Sequence, residues 1–313
     1  MPFADSLSLY LAETESYVRS AKAANTVKAY RSDWAHFQSF CAGRNLPSLP
    51  AAPVTLAAYA ADSARHLKAR TVERHLTAIS QAHQLAGYPN PAEDKLVRTV
   101  MAGIRRVKGT AQAGKEPLSP QLLRKMFEHT SGDLRTVRDR ALLLVGFAGA
   151  FRRSELVALQ HQDVRFGEEG IIITIPKSKT DPEGAGQTLG IPYGSHPESC
   201  PVRALTIWLE QSGITCGYLF PVIGRWGREA LAKPICDHQL AKIIKRLASK
   251  AGLNPEIFSG HSLRSGLATS AAEGGASERS IMDQTRHRSL KQVRKYIRRG
   301  SLFKDNAAAR SGL

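Results

Sequence analysis

Residues 260–300 read GHSLRSGLATSAAEGGASERSIMDQTRHRSLKQVRKYIRRG, which places two histidine–arginine clusters and a tyrosine within segments patterned like surface helices. His261 and Arg264 are three residues apart, so a helix would present both side chains to one ligand. The run 286–299 holds seven Lys/Arg residues and no acid. Such a run attracts a polyanion, although a solvated basic helix is its more common meaning. The presence of Tyr296 in the run indicates a chemical role for it. Neighbouring cations favour the phenolate, which is the nucleophilic form of tyrosine.

The length and charge of the chain limit its class. At 313 residues the chain is long enough for two domains with a core each. Its formal net charge of +17 indicates nucleic acid or an anionic membrane surface as the partner, rather than a small substrate. Both parts are basic: 14 basic minus 8 acidic residues up to residue 110 give +6, and 30 minus 19 after it give +11.

The sequence predicts a cytoplasmic protein without a metal or another cofactor. Its longest apolar run, Ala141 to Phe151, is too short to span a bilayer, and the N-terminus lacks a basic region followed by an apolar core. No two cysteines form a Cys-x-x-Cys pair, so neither a zinc site nor a disulfide framework is indicated. We expect free thiols at all four positions, which are Cys41, Cys200, Cys216 and Cys236.

Residues 1–110 predict a helical N-terminal domain. After a possible cap at Asn25–Thr26, apolar residues recur at three- and four-residue steps, as in an amphipathic helix. Similar patterns run from Thr55 to Leu67, from Thr71 to Ala86 and from Pro91 to Val107. Four such helices make a compact bundle. Residues 111–117 lack apolar anchors and are predicted to be a flexible linker.

Residues 118–313 predict a second domain of mixed structure. Helices are expected from a Ser119 cap to about Thr130, from Leu134 to Ala150 in the core, and over Pro201–Gln211 and Asp237–Ala251. The β-branched segment Gly170–Pro176 and the segment Thr188–Pro192 are expected to pair as an antiparallel hairpin. The predicted fold class is therefore mainly α with a small antiparallel β element.

Two features add candidate site residues in this second domain. Arg152 ends an apolar helix three residues before Glu155, so it is either an ion-pair partner of that carboxylate, a phosphate ligand, or both. The hairpin connection carries Lys177 and Lys179 with enough glycine for mobility, which would let a lysine reach into a groove. A lysine at a hairpin tip more often serves solubility.

Six side chains together supply what a phosphodiester exchange needs. Attack by a tyrosine would conserve the energy of the ester in a phosphotyrosine link, so no ATP is required. Arginines and imidazoles would stabilise the charge on pentavalent phosphorus, which metal ions do in many nucleases. The candidate catalytic residues are Arg152, Lys179, His261, Arg264, His287 and Tyr296.

This ordered set resembles the tyrosine recombinases, the phage integrase family that includes Cre, lambda integrase and the Xer recombinases. The resemblance covers nearly the whole chain. It rests on Arg152 with Glu155 in a Ser-Glu-Leu context, a hairpin lysine, His-x-x-Arg, and a histidine nine residues before the tyrosine. The chain departs from the family by having Arg286 where glycine often precedes the second histidine. Lys177 competes with Lys179 for the hairpin role, and the Ser-Lys-Thr context favours Lys179.

The resemblance implies a fold and a mechanism. A helical core-binding domain and a mixed α+β catalytic domain would close around duplex DNA that carries a specific site. A homo-tetramer would assemble on two paired sites, with the tail Ser301–Leu313 covering a neighbouring protomer. The source would be a bacterium, a phage or another mobile element.

The resemblance also implies a role for each residue of the site. Tyr296 would be the nucleophile, and Lys179 would be the acid for the leaving 5′ oxygen. Glu155 would orient the site, and His261 would accept a proton. The expected transition-state donors are Arg152, Arg264 and His287.

Basic residues in both domains are candidates for DNA binding. His75 lies among those of the first domain. For any one position, a solvated helix face explains the charge equally well. The predicted DNA-binding residues are Lys28, Arg31, Lys68, Arg70, Arg74, Lys177, Lys242, Lys245, Arg246, Arg286 and Arg288.

Two other functions are compatible with parts of this pattern. A type IB topoisomerase uses a similar Arg-Lys-Arg-His-Tyr set to relax supercoils without pairing sites, but the helical N-terminal domain argues against it. A DNA-binding protein without catalysis would explain the basic helices, yet it would leave the ordered set unexplained.

Overall fold

The computed structural model describes residues 22–111, 114–128, 130, 132–176, 186–300 and 311, with the side chains of 292 and 298–300 excepted. The chain divides into two compact units, Met1–Ala113 and Gly114–Leu313. The fold is mainly helical with small antiparallel sheets, which confirms the predicted fold class. Within the described ranges, no helix has the length and apolar character needed to cross a membrane.

The N-terminal unit contains four α-helices over its described residues. They are α1 (Ala24–Ala42), α2 (Pro53–Ser63), α3 (Ala69–Leu85) and α4 (Lys95–Lys108). Their apolar faces enclose one core, whose fully buried members include Phe37, Leu56, Val72 and Ile79.

Two predicted helix starts in this unit are wrong. No side chain caps α1, and Asn25 and Thr26 lie inside its first turn. Pro91–Glu93 forms a separate 3₁₀ turn, and α4 begins only at Lys95. There the Asp94 carboxylate accepts a hydrogen bond from the Leu96 N–H at 2.7 Å, which satisfies a free donor of the first turn.

A buried polar network, here called the Tyr59 cluster, joins three helices of this unit. The Tyr59 hydroxyl lies 2.8 Å from His36 Nδ1 and 2.7 Å from His75 Nδ1. Asp33 Oδ1 lies 3.1 Å from both His75 Nε2 and Arg74 Nη2. His75 is therefore a buried core residue, and the expectation that it could grip a phosphate is wrong. The helical pattern did not reveal which polar position faces inward.

The C-terminal unit contains eight further α-helices over its described residues. The last three of these helices, with the turns between them, carry most of the candidate site. They are α5 (Pro120–Glu128), α6 (Leu134–Ala148), α7 (Arg153–Ala158), α8 (Pro201–Ser212), α9 (Asp237–Lys250), α10 (His261–Glu273), α11 (Glu278–Thr285) and α12 (Leu290–Gly300).

Two small antiparallel sheets complete this unit. The predicted hairpin is confirmed as β2 (Gly170–Ile175) and β3 (Gln187–Pro192), and β1 (Val164–Phe166) pairs on the other side of β2. The second sheet, β4 (Pro221–Ile223) with β5 (Ala230–Pro234), was not predicted, because neither strand has a long β-branched run.

The core of the C-terminal unit positions helix α10 closely. As predicted, α6 is buried almost throughout. Gly266 of α10 lies so near the preceding segment that a Cβ atom there would be 2.0 Å from the Leu118 carbonyl oxygen. The Leu118 N–H also donates to the Ser262 carbonyl at 2.9 Å. This close approach fixes the helix that carries His261 and Arg264.

Candidate active site

Arg152 stands at the junction between α6 and α7, where a backbone turn redirects the chain. Ala150 in this turn has φ 44°, a left-handed conformation that residues other than glycine adopt infrequently. The Glu155 carboxylate accepts the Arg152 N–H at 2.9 Å and its guanidinium Nη1 at 2.5 Å, so it caps α7 and holds the side chain. The predicted Arg152–Glu155 pair is confirmed, and the carboxylate is almost fully buried.

His261 and Arg264 come from the first turn of α10, on one helix face as predicted. The Arg264 side chain is buried, and its Nη1 donates to the Ala150 carbonyl at 2.7 Å. Within the described part of the chain, Arg264 Nη2 has no hydrogen-bond acceptor. This guanidinium therefore keeps one donor for a ligand.

His287 lies in the turn between α11 and α12. Its Nδ1 lies 2.7 Å from the Thr285 hydroxyl oxygen, and that oxygen lies 2.6 Å from the Ile281 carbonyl. A hydroxyl that donates to the carbonyl accepts a hydrogen bond from Nδ1–H, which leaves Nε2 of neutral His287 as an acceptor. Thr285 thereby controls the tautomer of the histidine.

Tyr296 of α12 meets both histidines. Its hydroxyl lies 2.9 Å from His261 Nε2, and its ring centroid lies 5.8 Å from that of His287. We call the set formed by these side chains the Tyr296 cluster; its members are Arg152, Glu155, His261, Arg264, Arg286, His287 and Tyr296.

Burial decides the protonation states in the Tyr296 cluster. Desolvation raises the pKa of Tyr296, and Arg264 offsets only part of that effect. The expectation that neighbouring cations favour the phenolate is therefore wrong for the unliganded site, since desolvation outweighs the attraction. The phenol needs a base, and His261 Nε2 is within hydrogen-bond distance.

Both histidines of the cluster are neutral at neutral pH. Desolvation and then the charges of Arg264 and Arg153 lower the pKa of His261. Desolvation, followed by Arg264 and Arg152, lowers the pKa of His287 to about 4. A neutral His261 can accept a proton from the phenol.

The guanidinium groups are held close together with too little negative charge among them. Burial, and then Arg152 and Arg286, lower the pKa of Arg264 to about 9. Counting charges, three guanidiniums face one carboxylate, Glu155, which leaves +2. A bound phosphate would relieve this repulsion, so the site is electrostatically suited to an anion.

Comparison with known proteins identifies the family of the chain. The Phage integrase family profile matches residues 116–301. An integrase/recombinase xerD homolog of Selenomonas ruminantium is 44% identical over 299 residues, which cover 94% of this chain and 87% of that protein. The chain belongs to the phage integrase family. It is a tyrosine-type site-specific recombinase, as the sequence motifs indicated.

More distant relatives agree with this assignment. The recombinase cre of Escherichia phage P1 is 25% identical over 303 residues, covering 90% of this chain and 85% of that protein. A lambda integrase dimer bound to a core site has the same fold, with a TM-score of 0.60, 18% identity and coverage of 93% and 94% of the two chains.

Arg286, which stands where the family often has glycine, does not lie on the surface as expected. Arg286 was predicted to bind DNA, but its side chain is only 5% exposed and is hydrogen bonded within the protein. That prediction is wrong for a surface contact, because the guanidinium donates to the Gly149 and Ala150 carbonyls and to Glu155 inside the protein. Sequence reasoning noticed the substitution but not this inward direction.

Two other predicted DNA-binding residues of the recombinase have protein partners. Arg246 pairs with the buried Asp139, and Lys245 Nζ lies 2.7 Å from Glu256 Oε2. These ion pairs hold the two cations on the protein, and their contact with DNA stays a prediction. The other described candidates are exposed, although Arg74 also contacts Asp33. They are Lys28, Arg31, Lys68, Arg70, Arg74, Lys242 and Arg288.

Three predictions lie outside the described residues. Lys177 and Lys179 belong to the segment 177–185, and the tail 301–313 is described only at residue 311. Of the described candidates for catalysis, the fold brings all six into one cluster. They are Arg152, Glu155, His261, Arg264, His287 and Tyr296.

Proposed function

We propose that this recombinase cuts and rejoins duplex DNA through a 3′-phosphotyrosine formed by Tyr296. One observation carries the proposal: the Tyr296 hydroxyl lies 2.9 Å from His261 Nε2, beside the buried Arg264 and the half-buried Arg152. A nucleophile, a base and a set of donors for a phosphate thus converge at one place. A tyrosine–histidine hydrogen bond with a purely structural role would not need phosphate donors around it.

The proposed reaction is a reversible exchange of esters. The Tyr296 oxygen attacks phosphorus while its proton passes to His261 Nε2. The bond between phosphorus and tyrosine forms, the bond to the 5′ oxygen breaks, and the leaving oxygen takes a proton from Lys179. Rejoining is the reverse, with a 5′ hydroxyl as the attacking group. The energy of the original ester is kept, so the cycle needs no ATP.

The arginines would stabilise the pentavalent phosphorus. Arg264 keeps a buried donor, and Arg152 is oriented by Glu155 while it retains further N–H groups. Guanidinium groups in a desolvated site supply the charge stabilisation that a metal supplies elsewhere, so we propose a mechanism without a metal ion. His287 would take part through Nε2, which takes up a proton from solvent as the phosphate approaches and then donates a hydrogen bond to a phosphate oxygen.

Duplex DNA with a specific site is the proposed substrate. Lambda integrase is bound to a core site in the structure that this fold resembles. In the N-terminal unit, a groove of about 1080 Å³ is lined by the predicted cations Lys68, Arg70 and Arg74, together with Lys108. This groove supports phosphate contacts by the N-terminal unit, which we propose to be the core-binding domain, with residues 118–313 as the catalytic domain and 111–117 as the linker.

We further propose that four protomers assemble on two paired sites, and that they do so in the cytoplasm. In this assembly the tail 302–313 would contact a neighbouring protomer. The assembly is what separates recombination from DNA relaxation by a type IB topoisomerase. Deleting residues 302–313 should leave binding to a single site intact and impair pairing. Full tetramers with the truncated chain would show that the tail packs within its own protomer.

The decisive experiment captures the phosphotyrosine and reveals the DNA site at the same time. Nicked duplexes of random sequence are incubated with the protein, and DNA that stays attached under denaturing conditions is sequenced. We expect one enriched sequence motif, attached through a 3′ phosphate to Tyr296, with EDTA present and ATP absent. A protein that binds DNA without catalysis would give no attached DNA.

The captured sequence then separates the two enzymatic functions. Two duplexes that carry it should exchange strands, whereas a topoisomerase would relax a supercoiled plasmid without joining two sites. If activity disappears in EDTA and returns with magnesium alone, the metal-free mechanism is wrong.

A further inference from the structure

Arg286 has a backbone conformation and a side-chain position that the proposed reaction does not by itself require. It ends α11 with φ 54° and ψ 43°, in the left-handed region. Arginine is an uncommon choice there, because its Cβ is crowded by the following carbonyl, whereas glycine fits without strain. The contacts of the side chain must therefore offset this strain.

The Arg286 guanidinium binds four acceptors. Its Nη1 donates to the carbonyls of Gly149 at 2.8 Å and Gln284 at 3.0 Å. Its Nη2 donates to the Ala150 carbonyl at 3.2 Å and to Glu155 Oε2 at 3.1 Å. The group also lies 5.1 Å from the centre of a neighbouring aromatic ring, that of Phe151. This arrangement needs the planar fork of an arginine, which a lysine cannot reproduce.

Two of these four acceptors are shared with the arginines proposed to bind the phosphate. Glu155 accepts the Arg152 guanidinium at Oε1, and at Oε2 it accepts both the Arg152 N–H and the Arg286 guanidinium. The Ala150 carbonyl accepts from both Arg264 and Arg286. In return, Arg152 Nη2 lies 3.4 Å from the Arg286 carbonyl oxygen. Arg286 is thus bonded to the supports of both phosphate ligands and is followed directly by His287.

We propose that Arg286 is a positioning residue that fastens the turn carrying His287 to the turn carrying Arg152. It joins two chain segments more than 130 residues apart through one guanidinium. The inference rests on the proposed function, since it states how the phosphate ligands of that reaction are held. Arg286 acts through Arg152 and His287 and does not itself contact the phosphate.

The test replaces Arg286 with glycine, the residue best suited to its backbone conformation. Arg286→Gly removes the guanidinium while relieving the left-handed strain, so a folding defect from the backbone is not expected. We expect cleavage of the captured nicked duplex to slow on the order of 10- to 100-fold, the cost of misplacing reacting groups by about 1 Å. Affinity for the duplex should stay unchanged, because the removed side chain is buried.

A double-mutant cycle with Arg152 separates positioning from a general loss of structure. Arg286→Gly should slow cleavage strongly in the normal protein and clearly less in Arg152→Ala, because one of its two targets is then absent and only the positioning of His287 remains to be lost. Arg279→Ala is the matched control: it removes an exposed arginine from the same helix and should change nothing. Equal losses in both backgrounds, or a normal rate for Arg286→Gly, would refute the proposal.

A second variant covers the case in which Arg286→Gly does not fold. Arg286→Lys keeps a buried cation near Glu155 but lacks the fork, so we expect a folded protein with slowed cleavage and normal DNA affinity. A normal cleavage rate for Arg286→Lys would contradict the proposal. If the unaltered protein forms no covalent DNA adduct, the proposed function itself has failed, an outcome separate from any effect of Arg286.

Discussion

The Tyr296 cluster and the Tyr59 cluster both join a tyrosine hydroxyl to histidine nitrogens inside a helical unit. Their O–N distances are similar, 2.9 Å to His261 in one and 2.7 Å to His75 in the other. They differ in charge. The Tyr59 cluster balances Arg74 against Asp33, whereas the Tyr296 cluster has three guanidiniums for one carboxylate.

Access to a substrate is the second difference between the clusters. Tyr59 is fully buried, and desolvation raises its pKa to about 12, so this phenol is an inert part of the core. Tyr296 is only partly buried, next to a histidine that keeps solvent contact. A tyrosine–histidine hydrogen bond therefore indicates chemistry only where surplus positive charge and an opening for an anion accompany it.

The largest expected contrast comes from removing each hydroxyl in turn. Tyr296→Phe should bind DNA but form no covalent adduct, because no nucleophile remains. Tyr59→Phe should form the adduct normally and lose about 1–3 kcal/mol of stability, since it leaves histidine nitrogens without their partner. Adduct capture and denaturant unfolding measure the two effects. An adduct with Tyr296→Phe would overturn the assignment of the nucleophile.

The next effect tests the acid that completes the chemistry of the Tyr296 cluster. Lys179→Ala should slow cleavage about 10²–10⁴-fold, the loss typical of a missing general acid. Replacing the bridging 5′ oxygen with sulfur gives a leaving group that needs no proton, so Lys179→Ala should recover while Arg152→Ala stays slow. Rescue of Lys177→Ala alone would identify Lys177 as the acid. Rescue of neither lysine variant would exclude both as the acid.

Carboxylate removal should test the charge difference between the clusters. Glu155→Gln leaves buried guanidiniums without a counter-charge and should cost about 3–5 kcal/mol of folding free energy. Asp33→Asn should cost less, about 1–3 kcal/mol, because its Arg74 partner reaches solvent. Urea unfolding compares the two variants. If Asp33→Asn loses more folding free energy than Glu155→Gln, then Glu155 does not stabilise the protein by offsetting the surplus charge of the Tyr296 cluster.

The smallest effect is the pH dependence that the Tyr59 cluster contributes. Desolvation lowers the pKa of His75 below its ordinary 6.5, partly offset by Asp33. His75 therefore binds a proton more readily in the unfolded chain than in the folded one. The stability that comes from burying neutral His75 is present above pH 6.5 and is lost as the pH falls below it. His75→Gln should flatten the stability curve in that range. An unchanged curve would show that His75 keeps its proton affinity on folding.

Much of this protein was determined by local sequence. Apolar spacing identified the main helices, because that spacing follows from backbone periodicity. The β-branched run from Gly170 to Pro176 identified the hairpin, because such residues favour strands. The order and spacing of the candidate catalytic residues were enough to indicate the family. The chemistry of these residues depends on residue type, which the amino-acid sequence gives directly.

Only the tertiary structure decided the environments of those side chains. Tyr296 looked like a phenol stabilised as phenolate by cations, yet desolvation by packed segments raises its pKa. Arg286 and His75 looked like surface groups, yet Arg286 is buried against Glu155 and His75 lies in a core. Burial and charge balance are sums that include residues distant in sequence, since Arg286 meets Glu155 across 131 positions of the C-terminal unit.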